Sequence, residues 1–200
     1  MRASFIAGFL ALAASQATAQ FTNQSAPFTL VLHSQNATIN GSTLVPCHEG
    51  AAIEGLCYGS AVAGAPATQY NFNYSSASTP DPKIGVVGIL TYELRGGNFN
   101  VSSPMELSYN PVSNVAVPLF TPGENSQEVA FDAANKLAIP GYLDDRQIAS
   151  GSPYNPALYY RWYACTTNAG YTYQTLAWVM GDQRPENPTC QKVDVVRVFV

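Results

Sequence analysis

The sequence predicts an all-β fold, and three observations support this. Short runs of β-branched, aromatic and aliphatic residues recur along the chain, several with alternating polar and apolar positions. Turn residues such as Asn-Gly, Asn-Pro and Gly separate these runs. No segment after residue 19 sustains the 3.6-residue period of an amphipathic helix. We therefore expect a single compact domain of about ten to twelve short strands, a barrel or a sandwich, with a β-trefoil as an open alternative.

The N-terminal half contains the first predicted strands. Residues 28–34 alternate between an apolar and a mixed face, which predicts a strand with one side in the core. Asn40-Gly41 predicts a hairpin turn. Residues 60–82 are rich in Ala, Ser, Pro and Gly, so we expect a long loop with at most one short strand, around residues 70–74. Residues 84–94 form the most apolar run of the domain, and their β-branched composition favours a buried strand.

The C-terminal half continues the same pattern. Turn residues separate its predicted strands, and two aromatic-rich strands are expected to form a hairpin. The predicted strands cover residues 105–109, 114–120, 128–132, 136–139, 158–166, 173–180 and 191–200. Residues 158–166, LYYRWYACT, are expected to form one strand that pairs with residues 173–180.

The first residues have the three parts of a secretory signal peptide. Arg2 supplies a positive charge, residues 5–14 are apolar, and Ala17-Thr18-Ala19 is a small-x-small cleavage site. The apolar run is shorter than the roughly 20 residues that span a bilayer. We therefore expect residues 1–19 to be removed and residues 20–200 to form one secreted domain, extracellular or in the cell wall.

The four cysteines suggest disulfide bonds, because an even number in a secreted chain is typical of a bonded framework. Three pairings are open, and we favour the two local ones, Cys47–Cys57 and Cys165–Cys190. No C-x-x-C motif is present and the chain has only two histidines, so we predict no metal site.

Five N-x-[ST] sequons predict N-glycosylation if the chain enters a eukaryotic secretory pathway. All lie in the first half of the sequence, in stretches expected to be loops or strand ends: Asn23, Asn36, Asn40, Asn73 and Asn100. Asn187-Pro188-Thr189 has the same spacing but is excluded by its proline.

The charge composition limits the classes of partner. The net charge is −4, and charged residues make up 11% of the chain against a usual ~25%. Basic patches for nucleic acid and polybasic segments for anionic membranes are both lacking. We therefore predict no nucleic-acid partner, no membrane insertion and no cofactor, and we consider a cell wall polysaccharide or another extracellular glycan as the partner.

The sequence offers only weak candidates for a catalytic site. His48-Glu49 offers a histidine beside a carboxylate, yet adjacent strand residues point to opposite faces. Carboxylates for glycoside hydrolysis are available, including the Asp144-Asp145 pair, which fits a turn better. No G-x-S-x-G motif occurs. We therefore predict no catalytic residues and no enzyme activity.

Aromatic residues crowd the predicted hairpin at residues 158–180. Aromatic rings stack on the apolar faces of sugar rings, and Tyr and Trp add a polar edge. Tyr160, Trp162, Tyr173 and Trp178 are therefore candidate ligand-binding residues. The alternative is that these rings form cross-strand pairs that hold the sheet.

Three segments resemble a family of small secreted proteins of filamentous ascomycete fungi, whose domain has no assigned function. These segments are NGSTLVPCHEGAAIEGLC, RWYACTTNAGYTYQTLAWVMG and PENPTCQKVDVVRVFV. A more distant similarity, mainly over residues 127–200, is to the PhiA-type cell wall proteins. The resemblance implies secretion or wall association, N-glycosylation and no known catalysis.

Three functions follow as hypotheses. The first is a non-enzymatic secreted or cell wall glycoprotein of a filamentous fungus. The second is a carbohydrate-binding or host-interacting module that uses the aromatic hairpin at residues 158–180. The third is a hydrolase that uses His48 or a pair of carboxylates.

Overall fold

A computed structural model describes residues 21–59, 67–77, 79–123 and 125–200. In these ranges the chain forms fifteen β-strands and one short 3-10 helix, Asp145–Ser150. The strands are β1 Asn23–Gln24, β2 Phe28–His33, β3 Val45–Gly50, β4 Ile53–Cys57, β5 Tyr70–Tyr74, β6 Val87–Arg95, β7 Asn100–Tyr109, β8 Val115–Phe120, β9 Glu128–Phe131, β10 Leu137–Leu143, β11 Tyr154–Tyr159, β12 Trp162–Asn168, β13 Thr172–Val179, β14 Gln191–Lys192 and β15 Asp194–Phe199. The predicted all-β single domain is confirmed. The predicted signal peptide, residues 1–19, lies outside the described residues.

The strands make one antiparallel sheet that curls into a half-barrel. Its longest path runs β11-β10-β9-β6-β7-β8-β4-β13-β12-β14, with β5, β2 and β15 branching from β6. Strands distant in sequence pair directly, as β15 does with β2 and β13 with β8. This continuous order replaces the β-trefoil alternative, because a trefoil would need three consecutive and equivalent units.

The main hydrophobic core includes the apolar face of β2, as its alternation predicts. Phe28, Leu30 and Leu32 are completely buried, whereas His33 at the strand end is exposed. Across the sheet, Val195 of β15 pairs with Leu32 and is equally buried. At about 25 cal/mol per Å² of apolar surface, side chains of this kind provide the main stabilisation of the fold.

The number of strands exceeds the predicted ten to twelve for two reasons. β1 and β14 have only two residues each, too few for a periodic pattern to be visible. In addition, residues 158–166 form two strands, because β11 pairs with β10 while β12 pairs with β13 and β14. The chain crosses between these two ladders at Tyr160-Arg161, where the Lys192 ammonium donates to the carbonyl oxygen of Tyr160.

Both favoured disulfides are confirmed, Cys47–Cys57 and Cys165–Cys190. The first bond links β3 to the end of β4, and the second links β12 to the residue before β14. The two bonds therefore tie local neighbours of the same sheet, at sequence separations of 10 and 25 residues. They fit an extracellular protein.

Candidate functional site

The two tryptophans predicted as ligand-binding residues lie in the core. Trp162 is 0% exposed and Trp178 is 5% exposed. Their rings pack edge to face, with centroids 4.8 Å apart and an angle of 69° between the planes. The indole N–H of Trp162 donates to the carbonyl oxygen of Leu137 at 2.8 Å. The prediction that these rings form a surface is therefore wrong, and the alternative of a cross-strand aromatic pair describes them.

Tyr160 lies between β11 and β12 and serves as an anchor. Its hydroxyl donates to Asp132 Oδ2 at 3.0 Å. Burial, together with this hydrogen bond to a carboxylate, raises the pKa of Tyr160 to about 12. Asp132 Oδ1 also accepts from the backbone N–H groups of Ala134 and Lys136. Tyr160 thus fixes the strand crossing to the β9–β10 turn.

Tyr173 is the predicted binding residue that belongs to an exposed aromatic cluster. Its ring lies 6.1 Å from that of Tyr171, at an angle of 37°. Tyr171 in turn lies 5.6 Å from the imidazole of His48, at 44°. Tyr171 is 51% exposed and the His48 side chain 58% exposed, whereas Tyr173 is half-buried. We call His48, Tyr171 and Tyr173 the tyrosine–histidine surface.

Two hairpins build this surface. The turn between β12 and β13 follows Asn168, which pairs with Thr172, and this confirms the expected pairing of the two segments. The backbone N–H of Tyr171 donates to Glu49 Oε2 of β3 at 2.9 Å. A Cβ at position 170 would overlap the carbonyl oxygen of Glu49, so Gly170 is required for this close approach. The β12–β13 turn is therefore held against β3 at a fixed position.

His48 and Glu49 do not form an acid–base pair. Glu49 is 6% exposed and is directed to the backbone of Tyr171, whereas His48 points to solvent. The carboxylate nearest to His48 is Glu54 of β4, with Nδ1 and Oε1 3.9 Å apart. Burial raises the pKa of Glu54, and the neighbouring His48 acts in the opposite direction. This pair places a hydrogen-bonding carboxyl group and an imidazole next to exposed aromatic rings.

The Asp144-Asp145 pair also has a structural role. Asp144 caps the 3-10 helix by accepting from the backbone N–H of Arg146, and it forms an ion pair with the guanidinium of the same residue at 2.8 Å. These hydrogen bonds lower the pKa of Asp144 despite its burial. Within the described ranges, no three His, Cys, Asp or Glu side chains lie together as metal ligands.

The sequon asparagines all reach the surface. Asn23, Asn40 and Asn100 are exposed, and Asn36 and Asn73 are half-buried. Asn36 and Asn40 share one turn and line an open polar groove of about 910 Å³ together with amide, hydroxyl and charged side chains of β14 and its neighbours. The side-chain amide of Asn36 donates to Gln191 Oε1 at 2.6 Å, across this groove.

Sequence reasoning missed two members of the tyrosine–histidine surface. Tyr171 lies in a turn, where alternation gives no orientation, and His48 lies on a different hairpin. The sequence Gly170-Tyr171 is a signal for an exposed ring in a turn. The contact of this turn with β3 has no signal in the sequence, because it depends on the order of the strands in the sheet.

Comparison with known proteins identifies the family of this chain. The profile of a domain of unknown function, DUF7907, matches residues 25–199. No curated protein and no solved structure matches the chain. In the part of the chain that the structure covers, no helix is long and apolar enough to cross a membrane. Because the profile covers almost the whole domain, the chain belongs to the DUF7907 family.

Proposed function

We propose that the mature chain is a secreted, non-catalytic glycoprotein of a fungal cell wall or extracellular matrix. The observation that carries this proposal is the surface position of all five sequon asparagines. An N-linked glycan needs space outside the fold, and a buried sequon in the described residues would have argued against it. Glycan would also supply the polar surface that the low content of charged residues leaves short.

The disulfides support the export step. All four cysteines are paired, which is typical of proteins that fold in an oxidising compartment, and in eukaryotes N-glycans are attached in such a compartment. The signal-like segment at residues 1–19 gives the route to that compartment.

The arrangement of the candidate acids and bases supports a non-catalytic role. Glu49 accepts a hydrogen bond from the backbone N–H of Tyr171, and Asp144 forms an ion pair with Arg146. The three cavities described around the sheet are lined by neither His48 nor Glu49. A general base needs a substrate held within hydrogen-bond reach, and neither residue lines one of these cavities.

Two measurements test the proposal. The protein is first purified from a glycosylating fungal host, treated with an enzyme that removes N-glycans, and mapped by peptide mass spectrometry. We expect a mass decrease and modified peptides that contain sequon asparagines, while the peptide with Asn187-Pro188-Thr189 is the unmodified control. Next, cultures are separated into cytosol, wall and medium.

The proposal predicts a pool that is retained by the wall after washing. Protein found only inside the cell would overturn the secretion step, and unmodified sequons on exported protein would overturn the glycoprotein assignment. Protein that is wholly free in the medium would overturn the wall location.

A further inference from the structure

We infer that the tyrosine–histidine surface binds an extended, uncharged polysaccharide chain. This inference rests on the proposed function, because a wall glycoprotein lies among such polymers. It moves the glycan-binding role away from Trp162 and Trp178, which are buried, and assigns it to residues of the β12–β13 turn and β3.

The shape of the surface favours a polymer over a small molecule. Tyr171 has two aromatic neighbours, Tyr173 at 6.1 Å and His48 at 5.6 Å, whose ring planes are tilted from its own by 37° and 44°. Small-molecule sites are usually concave and enclose most of the ligand. Neighbouring rings on an open surface instead offer more than one contact to a chain of sugar units, whose apolar faces stack on tyrosine.

The polar groups beside the rings match the hydroxyl groups of sugars. The Glu54 carboxyl group, on a side chain that is 13% exposed, lies 3.9 Å from His48 Nδ1, so the imidazole of this surface has a hydrogen-bond acceptor beside it. Glu54 and the acidic net charge of −4 oppose a polyanion, because like charges repel. His48 is the one basic side chain among these residues and already faces Glu54. An uncharged polymer therefore fits best.

The surface is also preorganised. Glu49 holds the Tyr171 backbone, Gly170 allows the close contact with β3, and the Cys47–Cys57 bond ties β3 to β4. A ring that is already placed loses little freedom on binding, so more of the contact energy contributes to affinity. Tyrosine adds to this because it presents a large rigid area with few rotatable bonds.

Co-sedimentation tests the inference with the purified, glycosylated protein. The probes are insoluble β-1,3-glucan and insoluble chitin, which are both uncharged, and soluble polygalacturonate is the anionic competitor. We expect the wild-type protein to sediment with at least one of the insoluble polymers. Tyr171→Ala should weaken this retention about tenfold, since it removes the more exposed of the two tyrosine rings of this surface.

Two further variants keep the result interpretable. Tyr109→Ala is the matched control, because Tyr109 is a 70% exposed tyrosine on β7 and is not one of the three residues of the tyrosine–histidine surface. It should bind as the wild-type protein does. Tyr171→Phe keeps the ring and should also retain binding, while unchanged thermal unfolding shows that each variant is folded.

Three outcomes would overturn the inference. These are a wild-type protein that neither polymer retains, equal losses for Tyr171→Ala and Tyr109→Ala, and displacement by polygalacturonate at low ionic strength. A washed wall pool together with no polysaccharide retention would reject this surface but leave the proposed function standing. Retention by a polymer without any wall pool would support this surface but reject the proposed wall location.

Discussion

Replacing Trp162 by phenylalanine should lower the free energy of unfolding by about 2–4 kcal/mol. The substitution keeps an aromatic ring on β12 but removes the indole N–H. It therefore separates two roles for this side chain, namely packing in the core and contact with a ligand.

The magnitude follows from the surroundings of the indole. Trp162 is 0% exposed, and its N–H donates to the Leu137 carbonyl at 2.8 Å. Leaving a buried carbonyl without this donor costs about 1–3 kcal/mol. The smaller ring also leaves a cavity and weakens the edge-to-face contact with Trp178, which adds about 1 kcal/mol. Against a total stability of about 5–15 kcal/mol, the variant should still fold.

Urea denaturation followed by far-UV circular dichroism measures the change. We expect a lower midpoint with an unchanged slope, since the area exposed on unfolding is nearly the same. Tyr171→Phe serves as the control and should stay within about 0.5 kcal/mol of the wild-type value. A Trp162→Phe protein of wild-type stability that no longer binds polysaccharide would refute the core assignment.

The remaining predictions concern covalent and ionisable groups. In the chain-entropy treatment, replacing both cysteines by serine should cost about 2.7 kcal/mol for Cys47–Cys57 and about 3.5 kcal/mol for Cys165–Cys190, since the second loop is longer; urea denaturation would contradict this if the order were reversed. Folded Tyr160 keeps its proton to about pH 12, whereas an unfolded tyrosine ionises near pH 10, so the unfolded state binds fewer protons in this window. Stability should therefore fall from about pH 10 upward, and less steeply in Tyr160→Phe, as measured by denaturation at several pH values.

Much of the sheet could be predicted because its strands have local patterns. β2 has a large apolar residue at every second position of one face, and the β12–β13 hairpin has its turn residues directly between two aromatic runs. The disulfide pairing followed from short sequence separations. These features depend on neighbours in the chain, where periodicity and turn chemistry are informative.

The candidate site could be predicted only in part, because it depends on contacts between distant segments. Alternation places Trp162 on one face of its strand but does not say which face is buried. That depends on the strand pairing, in which β11 pairs with β10 and β12 pairs with β13. Likewise, Tyr171 meets His48 only because β3 packs against a turn 122 residues later in the chain, where Glu49 binds Tyr171. No local pattern carries this information.

The partition of wild-type and Tyr171→Ala protein between wall and medium in a glycosylating fungal host tests most directly whether the tyrosine–histidine surface holds this protein in the wall. Quantitative immunoblots of washed walls and of medium, with Tyr109→Ala as the control, give the ratio. We expect a wall-retained pool for the wild-type and Tyr109→Ala proteins and a shift of Tyr171→Ala into the medium. Equal partition of all three proteins, or wild-type protein found only in the medium, would contradict it.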